Sequence, residues 1–305
     1  MFAYLIRRLL FLIPVLLFVS LITFTLMHIA PGGPWDRERK LPAEVQANLN
    51  AKYHLDEALP MQYVHYLGGL LQGDLGLSFT NPGFSVQQVI GRGLGVTLQL
   101  GLLAAVVAIL IGIPLGIIAA LRQNSPLDYG SMLLAIVGYT TPSFVLGIFL
   151  IVIFSVQLHA LPASGWGQST SRLLPVIALA AAPIAILARY TRSSMLDVLG
   201  QDYVRTARAK GLAEQVVVLR HMLRNALLPV ITVLGPVIAT LVTGSFVVER
   251  LFRIPGIGRL YIDAIFARDY PLIMGTTLLY AVAIAVFNLV VDLLYVTVDP
   301  RISYT

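Results

Sequence analysis

Six long, mainly apolar stretches of this 305-residue sequence contain no Asp, Glu, Lys or Arg, and they restrict its fold more than any motif does. They cover residues 9–35, 93–121, 129–171, 173–188, 225–248 and 270–291. A helix needs about 20 apolar residues to cross a bilayer core of about 30 Å. Only 12% of the residues are charged, against about 25% in a soluble domain. The sequence therefore predicts an all-α membrane protein and excludes a soluble enzyme.

Six transmembrane helices are expected within these stretches. We place them at about residues 9–30, 95–121, 131–158, 173–190, 226–248 and 273–297. The fourth is the weakest, since Pro175 and Pro183 interrupt it and Arg189 ends it. A tilted or re-entrant segment is the alternative there. Arg7 and Arg8 precede the first run, but that run is longer than a signal-peptide core and no small-residue cleavage site follows, so it reads as a retained helix.

Basic residues indicate how the helices are oriented. With both termini inside, the cytoplasmic segments carry 11 basic residues in 61, against 10 in 98 for the outer segments. This difference follows the positive-inside rule. The net charge of +6 therefore records membrane orientation and does not indicate nucleic acid as a partner. We expect cytoplasmic N and C termini.

Two long loops organise the chain into three parts. Residues 1–93 hold the first helix and a long outer loop, in which helices are expected from Pro42 to Tyr53 and from Pro60 to Gln72, followed by a turn at 73–76. Residues 94–298 form a five-helix core that includes the inner loop 189–225. Residues 299–305 are a short cytoplasmic tail.

The inner loop is the most charged part of the chain. A helix is expected from Met195 to Lys210, with Gly211 ending it because glycine accepts the left-handed backbone of a helix C-cap. A second helix is expected from Ala213 to Leu227, ending before Pro229. Two amphipathic helices joined by glycine would suit protein docking. A basic loop held to anionic membrane lipid is the alternative, which spacing alone slightly favours.

Residues 203–211 (YVRTARAKG) and 220–229 (RHMLRNALLP) resemble the cytoplasmic coupling loop of permeases in ATP-binding-cassette (ABC) importers. More narrowly, the chain resembles the B-type permease of dipeptide and oligopeptide importers, and segments 30–32, 73–76, 255–259, 268–271, 291–295 and 299–301 carry the same likeness. Arg205, Thr206 and Ala207 stand where the broad family has Glu-Ala-Ala, and Gly211 keeps its place. Both this and the longer glycine-to-proline spacing, 18 residues, suit the peptide branch.

The resemblance implies a type I importer permease in a bacterial cytoplasmic membrane, a non-catalytic subunit. Its expected partners are a homologous second permease, two ATPase subunits, an extracytoplasmic binding protein and a peptide substrate. ATP and Mg²⁺ would bind the ATPases, and the chain itself would hold no cofactor. None of its three lysines follows a phosphate-binding glycine loop, which agrees. The expected ATPase-docking residues are Arg205, Thr206, Ala207, Arg208, Ala209, Lys210, Gly211, Leu212, Ala213, Glu214 and Arg220.

Polar residues inside the spans are candidates for the translocation path. Thr140, Thr141, Pro142 and Ser143 interrupt the third span, where a locally repaired kink is the commoner outcome. Asn288 and Asp292 share one face of the sixth, where a structural pair is equally expected.

Several alternatives stay open. The five histidines show no metal-ligand spacing, so no metal site is predicted. An ion-coupled transporter is a competing class, as are related importers of nickel or glutathione. An intramembrane protease would need a nucleophile paired with a base, and no such motif occurs.

Overall fold

The computed structural model describes residues 2–35, 42–81 and 83–298, leaving aside the side chains of 2–5, 9, 43 and 291–298. The predicted tail 299–305 lies outside the described residues. The helices, in chain order, are α1 Phe2–Ile29, α2 Ala43–Lys52, α3 Leu59–Leu71, α4 Val86–Leu121, α5 Pro126–Thr140, α6 Ser143–Leu150, α7 Leu173–Leu199, α8 Asp202–Ala209, α9 Glu214–Val216, α10 Leu223–Val242, α11 Phe246–Leu251, α12 Ile257–Ala267 and α13 Tyr270–Val298. A π-helical segment, Ile151–Gln157, follows α6, and another, Val217–Met222, joins α9 to α10.

Among the described residues, five helices are long and apolar enough to cross a membrane, and the number is six if α5, α6 and the π-helical segment after α6 count as one span. Those two helices are bent by 107° at the predicted interruption. Thr141 is extended there, with φ −79° and ψ 120°. A residue before proline avoids the helical region because the proline ring clashes with it. The predicted site of the interruption is therefore confirmed.

Two predicted helix ends are wrong. The fourth span does not stop at residue 190, since α7 continues past Pro183 to Leu199. The helix that starts after Gly211 does not end before Pro229 but runs through it to Val242. Proline removes one backbone hydrogen bond, and membrane helices tolerate that loss because neighbouring groups and local π adjustments compensate for it. The first two outer-loop helices, α2 and α3, lie where they were expected.

The chain divides into two compact units, and residues 97–254 make up most of the second. Glycines bring α4 close to α7 in this unit. A Cβ on Gly112 would lie 2.9 Å from the carbonyl oxygen of Ile184, and one on Gly116 would lie 2.5 Å from that of Ala188. Small residues four apart on a helix allow such close backbone approach.

The first unit comprises residues 1–96 and 255–286. A buried carboxylate, Asp269, organises the start of α13. It accepts hydrogen bonds from the hydroxyls of Ser78 (2.5 Å) and Thr80 (2.6 Å), and from the backbone N–H groups of Thr80 (3.0 Å) and Leu272 (3.2 Å). The last bond caps the helix, because it satisfies an N–H that has no partner within the helix. The segment 268–271 therefore ties the outer loop to α13.

Candidate coupling site

Helix α8 begins after a break that the sequence analysis missed. The predicted single helix from Met195 to Lys210 is wrong, because α7 ends at Leu199 and Gln201 is extended, with φ −75° and ψ 146°. Gly200 occupies the C-cap. Glycine is about 1 kcal/mol worse than alanine inside a helix, which makes it a favourable place to interrupt one. The break makes α8 a separate eight-residue helix.

Helix α8 has one buried and one exposed face. Val204 and Ala207 are three residues apart and share a face. Both belong to a buried apolar cluster with Met195, Val217 and Met222. The Nδ2 of Asn225 also donates a hydrogen bond to the hydroxyl of Tyr203, at 2.9 Å.

The residues predicted to dock an ATPase are exposed, with one exception. Ala207 lies in the buried cluster and packs α8 against the rest of its unit. The ten exposed residues are Arg205, Thr206, Arg208, Ala209, Lys210, Gly211, Leu212, Ala213, Glu214 and Arg220. The side chain of Arg205 is 73% exposed. Helix α8 therefore presents a basic surface to solvent, and its opposite face packs against the buried apolar cluster.

Gly211 closes α8 with a paired hydrogen-bond pattern. Its N–H donates to the carbonyl of Arg208 at 2.9 Å, and the N–H of Leu212 donates to that of Ala207 at 3.5 Å. This is the Schellman arrangement, in which the residue after the cap is left-handed. Gly211 has φ +73°, and an added Cβ would meet no described atom within 4 Å. The site therefore requires a backbone conformation and not extra space.

An ion pair bridges the turn that follows. Nη2 of Arg208 lies 2.6 Å from Oε1 of Glu214, and its Nε lies 3.1 Å from Oε2. This two-point contact raises the pKa of Arg208, so its guanidinium stays charged. Both side chains are substantially exposed, at 40% and 55%. Exposed pairs of this kind stabilise a protein by about 0.2–1 kcal/mol. The pair links the end of α8 to the start of α9.

A second ion pair, absent from the sequence analysis, connects α5 to α7. Nε and Nη2 of Arg192 donate to the two carboxylate oxygens of Asp128 at 2.6 and 2.7 Å. The Asp128 side chain is only 2% exposed and also accepts from the N–H of Asn124 at 3.0 Å. Ser125, three residues before Asp128, caps α5. That Ser-x-x-Asp pattern is a known helix-start signal and would have drawn attention to Asp128.

The candidate path residues are dispersed between exposed and half-buried positions. Thr140 is exposed, and its hydroxyl donates to the carbonyl of Ile136 at 2.9 Å, which agrees with a locally repaired break. Thr141 and Ser143 are half-buried, and Pro142 and Asn288 are exposed. The side chain of Asp292 lies outside the described residues. A role for these residues in translocation stays a prediction.

Long apolar helices, a bent pair of shorter apolar helices and a basic helix in a loop together define a multi-pass helical membrane protein. Residues 112–304 match the family model of the inner membrane component of binding-protein-dependent transport systems, and residues 1–101 match the model of that component's N-terminal region. The chain belongs to this family. It is therefore a multi-pass protein of the bacterial inner membrane.

Full-length relatives agree with the family models. A dipeptide transport system permease of Bacillus subtilis is 47% identical, and the match covers 98% of this chain and 97% of the relative. An oligopeptide transport system permease of Escherichia coli K12 is 43% identical over the whole of both chains.

Solved structures support the fold independently. A chain of the MetNI methionine ABC transporter in an inward-facing conformation matches with a TM-score of 0.59 and 18% identity. That match covers 70% of this chain and 97% of the other. A chain from an amino acid ABC transporter matches with a TM-score of 0.55 and 19% identity, over 68% and 94%. The type I importer permease fold expected from the resemblance is confirmed.

Proposed function

We propose that this chain is a transmembrane subunit of an ABC importer for dipeptides or oligopeptides. The observation that carries the proposal is the similarity, over almost the full length, to relatives named for dipeptide and oligopeptide transport. A permease for peptides of varied sequence needs walls with few charges, and the low charge of the predicted spans suits that need. The chain itself is a non-catalytic subunit.

The exposed face of α8 is the proposed docking surface for an ATPase. Its burial on one side holds it rigidly enough to transmit force, and its other side offers Arg205 and Lys210 to a partner. Gly211 and the Arg208–Glu214 pair fix the turn that completes the surface. Two ATPase subunits would bind ATP and Mg²⁺, one on this chain and one on a homologous second permease.

The resemblance to ABC importers implies a transport cycle. ATP binding closes the two ATPases and draws the docking helices of the two permeases together. The helices then turn the transporter outward, where an extracytoplasmic binding protein delivers peptide. Hydrolysis restores the inward-facing state, and peptide leaves on the cytoplasmic side. This scheme places both termini and α8 in the cytoplasm, and α2 and α3 outside.

A reconstituted transporter tests the proposal. The chain is co-expressed with its second permease, ATPases and binding protein, and uptake of labelled peptides of two to five residues is measured in proteoliposomes. We expect uptake to require ATP and the binding protein. Uptake driven by a proton gradient without ATP would contradict the proposal, as would uptake of nickel or glutathione in place of peptide.

A matched pair of variants tests the docking surface. Arg205→Glu reverses a charge on the exposed face of α8, and Arg122→Glu reverses one at an exposed arginine between α4 and α5. We expect Arg205→Glu to reduce co-purification of the ATPases at least tenfold, and Arg122→Glu to leave it within twofold. If both variants lost the ATPases equally, the cause would be the change in net charge and not the position of Arg205. That result would contradict the docking surface.

A further inference from the structure

We propose that His54, Glu57 and His65 form a binding site for a divalent cation of the zinc type. The site goes beyond peptide transport and does not depend on it. Nδ1 of His54 lies 2.9 Å from Oε1 of Glu57, and Nδ1 of His65 lies 3.3 Å from Oε2. One possible ligand atom from each residue lies within 4.8 Å of the other two. The first histidine lies between α2 and α3, and the second lies on α3.

These separations suit a metal with nitrogen and oxygen ligands. Bonds of about 2.0–2.2 Å in a tetrahedral arrangement leave neighbouring ligand atoms about 3.4 Å apart. The three ligand atoms lie within 4.8 Å of one another, so metal binding would draw them together by up to about 1.4 Å. The chain has no cysteine, so thiolate ligands are excluded. Two imidazoles and a carboxylate favour zinc, nickel or copper over magnesium or calcium.

One carboxylate oxygen of the cluster lacks a hydrogen bond. Oε2 of Glu57 is a buried atom with no hydrogen-bond partner among the described residues. Buried acceptors usually have a partner, although the Glu57 side chain as a whole is 32% exposed. Nδ1 of His65 lies near this oxygen at 3.3 Å. A cation between the two would satisfy both atoms.

The backbone of His54 ends α2 in a fixed conformation. His54 has φ +58°, in the left-handed region. Its N–H donates to the carbonyl of Ala51, and the N–H of Leu55 donates to that of Asn50, which is the Schellman pattern at the end of α2. Glycine is the usual residue at this position. The turn therefore fixes the backbone from which the imidazole of His54 extends toward Glu57.

The chain between the two histidines is held in place by a side chain of α3. Nε2 of Gln62 donates to the carbonyl of Glu57 at 2.8 Å and to that of Leu55 at 3.2 Å. A ligand set benefits from such support, because fixed ligands lose less entropy when they bind a metal. His54 and His65 also line a cavity of about 700 Å³. The coordination positions that the three residues leave free are therefore open to water or to a donor in the cavity.

A competition titration tests the site. The full-length chain, with any polyhistidine tag removed, is titrated with Zn²⁺ against a chromogenic chelator in detergent. We expect one Zn²⁺ per chain. His54→Gly, Glu57→Gln and His65→Gln each remove a ligand and should weaken binding at least about tenfold, since loss of outer-shell partners alone costs about 10–100-fold. His54→Gly suits the left-handed backbone, so its loss of binding would not come from misfolding.

His159→Gly is the matched control. His159 is also exposed and left-handed, with φ +49°, but lies outside the cluster. We expect it to bind Zn²⁺ as the unaltered chain does. Zn²⁺ should also raise the melting temperature of the chain and of His159→Gly, but not that of His54→Gly, because a ligand that binds the folded state stabilises it. Equal affinity in His54→Gly and the unaltered chain, or no binding at about 100 μM Zn²⁺, would overturn the proposal.

Discussion

Helices α2 and α8 end with the same backbone hydrogen-bond pattern, but they place different residues in its left-handed position. Gly211 follows α8, with φ +73°, and His54 follows α2, with φ +58°. At Gly211 the space beyond the backbone is open, so the turn needs conformation alone. At His54 a side chain is present and reaches Glu57. The turn at Gly211 only redirects the backbone, whereas the turn at His54 also positions an imidazole.

The two turns also differ in what stabilises them. The turn after α8 is bridged by an exposed ion pair, Arg208 with Glu214. The turn after α2 is bridged by two hydrogen bonds from Gln62 to backbone carbonyls. Water and salt weaken an exposed ion pair, but they affect partly buried hydrogen bonds less. We therefore expect the α2 turn to be the more rigid of the two.

The largest expected effect comes from Gly211→Val. A β-branched residue is disfavoured in left-handed backbone, so the docking turn should distort while the spans stay inserted. We expect ATP-driven peptide uptake in proteoliposomes to fall at least tenfold. Gly211→Asn is the control, because asparagine tolerates this conformation, and it should retain most of the uptake. Normal uptake in Gly211→Val would contradict a coupling role for the turn.

Gln62→Ala should destabilise the α2 turn. It removes two hydrogen bonds of about 1 kcal/mol each, so the free energy of unfolding should fall by about 2 kcal/mol. Chemical denaturation in detergent measures this change, with Gln215→Ala, at an exposed position on α9, as the reference. A change no larger than that of Gln215→Ala would mean that the α2 turn holds its shape without Gln62.

Two substitutions exchange the kind of residue at the left-handed position of each turn. Gly211→Ala should lower the stability by about 1 kcal/mol, because an L-residue pays about that much in left-handed backbone. His54→Gly should not lower it in metal-free buffer, because it removes the same cost. Thermal unfolding of both variants, with a metal chelator present, measures whether each substitution raises or lowers the stability. A loss of stability in His54→Gly would show that the imidazole stabilises the turn without a metal.

Glu214→Gln should give the smallest effect. The Arg208–Glu214 pair is exposed, so we expect a loss of about 0.5 kcal/mol. The difference from the unaltered chain should shrink when the salt concentration rises from about 0.05 to about 1 M, because salt screens exposed charges. Unfolding at the two salt concentrations measures it. A difference that persists at high salt would indicate a hydrogen bond that matters more than its charge.

Local patterns in the sequence predicted much of the fold. Uncharged runs located the spans, and Pro142 located the break between α5 and α6, because both signals act within a few residues. Gly211 was recognised as a helix end for the same reason. Pro229 misled the analysis, since the rule that proline ends a helix comes from helices in water. Gly200 was missed because a single glycine often remains inside a helix.

Contacts between distant residues could not be predicted from local patterns. Asp128 and Arg192 are 64 residues apart, and nothing in the sequence pairs them. The spacing of His54, Glu57 and His65 matches no common metal motif. Their ligand atoms come together because a left-handed turn follows α2 and places His54 against His65 of α3. The function rests on the family, whereas these clusters become visible only in the folded chain.

Photocrosslinking tests directly whether α8 docks the ATPase on the cytoplasmic side. The chain has no cysteine, so Arg205→Cys and Lys52→Cys each provide a single thiol for a photoreactive label. Arg205 lies on α8 and Lys52 on α2, and both are exposed. In the assembled transporter, we predict that the label at 205 crosslinks to the ATPase subunit and the label at 52 does not. Crosslinking to the ATPase from position 52, with none from position 205, would contradict both the docking surface and the orientation.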